Sequence, residues 1–230
     1  MWRSLVVVLV CTGGVALARP SRGIEVAAPD APALRYGALT QEECEAELNA
    51  REIAFTRETA AGVLAPVRLT APLHGVTFRT NLREDRRATT PWEIADCRLV
   101  LALDDFAEIL ARHDVVEVRH DSMYRAPHRD DGTILGQHNG GLALDAARFI
   151  KSDGTTLDVL EDFKGRRGSK TCGTHARKVK AATAVELREI VCEAVDRQLF
   201  NVVLTPNFNR AHRNHFHLEV TAGVKWFMVR

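Results

Sequence analysis

The chain has 230 residues, 31 Lys and Arg against 30 Asp and Glu, and a formal net charge of +1 at pH 7. A balance this near neutral supplies neither the basic stripe of a nucleic-acid binder nor a polybasic membrane anchor. The length suffices for one domain with a real core.

Met1-Trp2-Arg3-Ser4 leads into an apolar run from Leu5 to Val10, and small residues follow at Ala16 and Ala18. One positive charge, a short apolar segment and a small-x-small site describe a secretory signal peptide over residues 1–18. The mature protein is therefore expected to be exported, to a periplasm or beyond the cell. The run is too short, and too interrupted by Gly13 and Gly14, to leave a membrane span. Cleavage removes Arg3 and no acid, so the net charge goes from +1 to 0. It also removes Cys11 and leaves Cys44, Cys97, Cys172 and Cys192, an even count that argues for two disulfides in an exported protein. Three pairings are open, and proximity in sequence favours Cys44–Cys97 and Cys172–Cys192.

Residues 19–39 carry Pro20, Pro29 and Pro32 without periodicity and read as a flexible leader before a domain over 40–230. Thr40-Gln41-Glu42-Glu43 is a capping-box pattern that starts a helix through about Arg51. Val67–Thr70 and Val76–Arg79, with turn chemistry at Pro72–Gly75 between them, read as a hairpin. Residues 97–112 are helical in length and composition and apolar round much of the circumference, which makes this the core helix. Val115–Arg119 reads as a buried strand, 126–137 as a polar loop and Leu142–Phe149 as the next strand. Thr183 can cap a helix from Ala184 to about Leu199, and Asn201–Leu204 and His215–Val220 supply two more strands. Helices and strands mix without a βαβ rhythm. The expected class is α+β, a single domain with a mainly antiparallel sheet and helices on one face.

Three of the nine histidines fall in His212-Arg213-Asn214-His215-Phe216-His217. On a strand, His215 and His217 project the same way, about 6–7 Å apart. Upstream, His138 and Asp145 flank Asn139-Gly140-Gly141, whose glycines let the chain turn closely. Asp145 sits in an otherwise apolar strand, where a carboxylate must be paired or bound to metal. With His217 this makes two imidazoles and one carboxylate. Three protein ligands and an open position are the pattern of a catalytic zinc site, in which the pKa of water falls to about 7. Ligand type favours a single Zn2+.

The segments His138–Asp145 and His212–His217 resemble the two signature motifs of the lysostaphin/D-Ala-D-Ala-peptidase/hedgehog group of zinc proteins. More closely, the chain from about Thr40 to Val220 resembles the bacterial extensin-like C-terminal domain family, through Asp121–Arg125, His138–Phe149 with Asp153-Gly154, and Asn209–Leu218. Penicillin-insensitive murein endopeptidases are similar at the His-x-x-His-Phe-His end. The resemblance implies His138, Asp145 and His217 as zinc ligands and His215 as the residue that handles the proton of the nucleophilic water. It implies Arg125 as the cation that neutralises the oxyanion. Ser122 and Tyr124 would pack and position Arg125, and His212 would support the site. One departure stands out: D-Ala-D-Ala peptidases place a glutamate base three residues before the last ligand, where this chain has Asn214. The implied activity is that of a zinc metallopeptidase on peptidoglycan cross-links, by endopeptidase or D,D-carboxypeptidase cleavage, with peptidoglycan peptides or another wall polymer as partner. The competing reading is a zinc-stabilised wall-binding or protein-interaction domain without turnover.

The other histidines read as structural. His120, at a strand end, is expected to be a satisfied structural histidine. His113 follows the core helix, where a cation suits the C-terminus. His74, His128 and His175 fall in loops or turns. The run Lys164–Lys170 reads as a solvated loop, with a patch for anionic wall polymer as the second reading.

Overall fold

The computed structural model describes residues 24–26, 30–127 and 136–230. The expected signal peptide and His128 lie outside them. The described residues form a single α+β domain. Its strands are β1 (Ile24–Val26), β2 (Phe55–Arg57), β3 (Pro66–Leu69), β4 (Thr77–Thr80), β5 (Ala95–Asp96), β6 (Val115–His120), β7 (Ala143–Lys151), β8 (Thr156–Asp158), β9 (Val202–Leu204), β10 (Phe216–Glu219) and β11 (Trp226–Val229). Its helices are α1 (Pro32–Gly37), α2 (Gln41–Ala50), α3 (Glu84–Arg87), α4 (Cys97–Arg112), α5 (Val159–Asp162) and α6 (Ala182–Asp196).

The main sheet runs β1-β11-β9-β10-β7-β6-β4, with β8 paired to the end of β7. Its ladders are antiparallel except β4·β6 and β9·β11, which are parallel. A small antiparallel sheet, β2-β3-β5, stands apart.

Helix α4 is the core, as its composition implies. Asp96 caps it by accepting from Arg98 N, and from Leu99 through Leu103 every side chain is out of contact with solvent. Phe106 meets Phe200 edge-on, with ring centroids 5.7 Å apart. Burying each such side chain stabilises the fold by about 1.5–3 kcal/mol. The sheet offers this core its Leu144, Ala146, Phe216 and Leu218. Alternation along β7 and β10 then turns Asp145, His217 and Glu219 to the opposite face. Both expected disulfides are formed: Cys44–Cys97 joins α2 to α4, and Cys172–Cys192 joins a basic loop to α6.

Four expectations need correction. The hairpin is absent: the Pro72–Gly75 turn exists as a Leu73–Val76 bridge, but β3 pairs with β2 and β5 while β4 joins β6. A turn fixes only its own geometry; the strand partners are chosen by which apolar faces need cover. Part of the stretch read as leader, residues 32–37, is helix α1. Its Tyr36 is buried, donates its hydroxyl hydrogen to Asp105 on α4 and accepts from Arg51 Nη2 at 2.9 Å. Helix α6 begins at Ala182 without a side-chain cap, and Thr183 lies inside its first turn, donating to Asp162 Oδ1 at 3.3 Å. Strand β10 starts at Phe216, so His215 sits just before it. Among the described residues no helix is long and apolar enough to cross a membrane.

Candidate metal centre

Asp145 and His217 are direct partners across the antiparallel β7·β10 ladder, which fixes their side chains on one face, a few ångströms apart. His138 arrives from a short 3-10 turn, Gln137–Gly140, that closes onto the start of β7. Gly141 ends this turn with φ +65°, and a Cβ there would stand 2.8 Å from Asp96 N. Only glycine accepts both the left-handed backbone and the close approach. The expected role of the glycines in folding His138 back on Asp145 is met at this position.

The three ligand atoms all lie within 4.8 Å of one another. His138 Nε2 is 3.1 Å from Asp145 Oδ2, and His217 Nδ1 is 3.0 Å from Asp145 Oδ1. The remaining ring nitrogens settle which lone pairs face inward. His138 Nδ1 donates to the Met123 carbonyl at 3.1 Å, and His217 Nε2 meets Glu219 Oε2 at 3.0 Å. With an ion bound, Nδ1 of His138 and Nε2 of His217 would carry the hydrogens, and the opposite nitrogens would offer it their lone pairs. His138 Nε2 is buried and faces Asp145 Oδ2. Two imidazole nitrogens held this close to a buried carboxylate suit a shared cation. The N, N, O donor set, the convergence and the outer supports all fit a zinc ion.

The charges agree with this. Burial works against ionisation of Asp145, but hydrogen bonds from His138 and His217 outweigh it and hold the carboxyl well below the usual range. Burial also opposes charge on His217, yet Asp145 and Glu219 prevail and raise it to about 9.

The neighbouring residues take distinct positions. His215 Nε2 stands 3.4 Å from Asp145 Oδ1, while its Nδ1 is 3.2 Å from Asn214 Oδ1. Its pKa is lowered, by burial first and then by His217 and His138, against the pull of Asp145 and Asp121. His212 packs its ring 5.2 Å from that of His215 and 5.8 Å from that of His217. It is tied through Nδ1 to Asn209 Oδ1 at 2.8 Å, and burial with the two other histidines lowers it to about 4. Arg125 donates through Nε to Ser122 Oγ at 2.8 Å and through Nη2 to Asp145. Tyr124 does not reach Arg125 by a hydrogen bond; its hydroxyl donates to the Ala61 carbonyl at 3.0 Å. A cavity of about 400 Å³, lined by Asn81, Leu82, Trp92, Asp121, Ser122 and Arg125, opens beside this cluster.

One residue was not singled out by the sequence, and one was read differently from what the structure shows. Glu219 supports His217 and is itself held by Thr221 Oγ1 at 2.6 Å; an acid two places after a histidine on one strand was the available signal. His120 is fully buried, and neither ring nitrogen has a hydrogen-bond partner among the described residues. The expectation of a satisfied histidine is not met.

A family model described as the extensin-like protein C-terminus matches residues 42–230. No curated protein and no solved structure matches the chain.

Proposed function

The chain belongs to the extensin-like protein C-terminus family, and we propose that it is an exported zinc-dependent hydrolase that cleaves an amide bond in the peptide cross-links of peptidoglycan. The fold is read with it as that of the lysostaphin/D-Ala-D-Ala-peptidase/hedgehog zinc peptidases, on the strength of the two histidine motifs. The observation that carries the proposal is the convergence of one ligand atom each from His138, Asp145 and His217 within 4.8 Å, with a further histidine at their edge.

His138, Asp145 and His217 would hold the ion. A zinc ion in that place supplies Lewis acidity and makes water nucleophilic at neutral pH. His215 is the base. Burial keeps it neutral, and Asn214 occupies Nδ1 so that the Nε2 lone pair faces the cluster. It takes a proton from the attacking water and returns it to the leaving amine. No carboxylate is needed at Asn214 for this; the asparagine orients the histidine that does the work. Arg125, anchored by Ser122 and about half exposed beside the cavity, offsets negative charge growing on the carbonyl oxygen. Its bond to Asp145 sets its distance from the reacting centre. His212 packs against His215 and limits its rotation.

The test is direct. The zinc-loaded mature protein is incubated with purified cross-linked muropeptides, and new primary amines are counted. Release of amines that needs zinc supports the proposal. Substrate that is retained by the protein but never cleaved would replace it with a binding domain.

A further inference from the structure

Between residues 164 and 180 the chain has seven Lys and Arg and no Asp or Glu. All seven are exposed. Elsewhere arginines such as Arg51, Arg68 and Arg98 are matched to carboxylates within 3 Å. None of the seven is ion-paired to a carboxylate among the described residues. Among the described residues no acid neutralises their charge.

Beneath this loop lies Arg188 of α6, only 7% exposed. Its guanidinium rests 4.5 Å over the ring of Phe163, and its Nε, Nη1 and Nη2 are all buried without a hydrogen-bond partner among the described residues. Leaving a guanidinium in this state costs roughly several kcal/mol. A merely solvated loop gives no reason to place one there. Burial, and then the like charge of Arg177, push the Arg188 pKa down.

The loop is also built rather than loose. Cys172–Cys192 pins it to α6. Asn207 ties it further: its carbonyl accepts from Gly168 N at 2.6 Å, its Oδ1 accepts from Arg166 N at 2.7 Å, and its Nδ2 donates to Thr171 Oγ1 at 2.9 Å. The next residue, Phe208, packs its ring 5.4 Å from that of His212. The basic lobe therefore adjoins the metal cluster through one short loop.

We propose that residues 164–180 together with Arg188 form a docking surface for a linear phosphate-bearing polymer, distinct from the metal cluster. Phosphate suits the lobe better than carboxylate. Its oxygens leave the phosphorus in several planes and can meet both Lys point charges and Arg forks, whereas a carboxylate offers two oxygens in one plane. The loop has no Phe, Tyr or Trp, so it lacks the stacking platform that a single-stranded nucleic acid would use.

The test measures binding of inorganic polyphosphate to the mature chain at low and moderate salt, with polygalacturonate as the carboxylate polymer. Arg166→Ala/Arg167→Ala/Lys170→Ala is expected to weaken polyphosphate binding by about tenfold or more and to flatten its salt dependence. A charge-matched control, Arg83→Ala/Arg86→Ala/Arg112→Ala, is expected to stay within about twofold. Arg188→Met keeps the stem and removes the buried charge. It is expected to raise the melting temperature while lowering affinity, a combination that a purely structural arginine would not give. His217→Ala is expected to bind polyphosphate as the wild type does. Equal losses in the two triple variants, polygalacturonate bound as tightly as polyphosphate, unchanged affinity in Arg188→Met, or lost binding in His217→Ala would each overturn the proposal. None of these outcomes depends on turnover, so the hydrolase reading is tested separately.

Discussion

His217 and Glu219 stand two residues apart on one face of β10, and Nε2 of the first meets Oε2 of the second at 3.0 Å. That contact decides which nitrogen of His217 faces Asp145. Glu219→Ala is expected to lower zinc affinity by about 10–100-fold, with Glu219→Gln, which keeps an acceptor, losing less. Competition against a chromogenic chelator gives the comparison. Equal affinity in wild type and Glu219→Ala would mean that the glutamate does not set the tautomer.

His215 touches the edge of the cluster without completing it. His215→Ala is expected to keep zinc at wild-type stoichiometry and to lose about 10²–10⁴ in hydrolytic rate. Metal analysis and amine release on the same sample separate the two effects. Full activity in a zinc-replete variant would remove the proton role.

The buried His120 carries a pH signature. Burial lowers its pKa to about 3, and His138 adds to this while Asp145 opposes it. In the unfolded chain an imidazole titrates near 6.5. Between these values the unfolded state holds a proton that the folded state refuses, so this contribution is complete above about 6.5 and is lost as pH falls towards 3. His212, lowered to about 4, acts with the same sign. Urea unfolding at about pH 7 and about pH 5 should show a smaller acid loss in His120→Leu, by on the order of 1–2 kcal/mol. Identical losses in both proteins would place the acid sensitivity elsewhere.

Much of the local structure was legible because its causes are local. The Thr40–Glu43 capping box forms reciprocally, and α4 spans Cys97–Arg112 as its composition implies. The spacing of His138, Asp145 and His217 led to residues that the structure does bring together. What could not be read depends on distant partners. Strand β4 lies beside β6, some forty residues on, rather than beside the strand its turn suggests. Tyr36 makes a helix out of a Pro/Ala-rich stretch only because Asp105 and Arg51 wait for it on α4 and at the end of α2. Terminal strand β11 takes its place through a parallel pairing with β9. Glu219 stayed hidden because an acid on a sheet face is ordinary until its neighbour is seen to belong to the cluster with His138 and Asp145.

The most direct test of the account is the zinc content of the purified chain and of His217→Ala, measured side by side after saturation and removal of free metal. One zinc per chain in the wild type and close to none in the variant is the predicted result. Equal zinc in both would contradict the assignment of His138, Asp145 and His217 as the site that holds it.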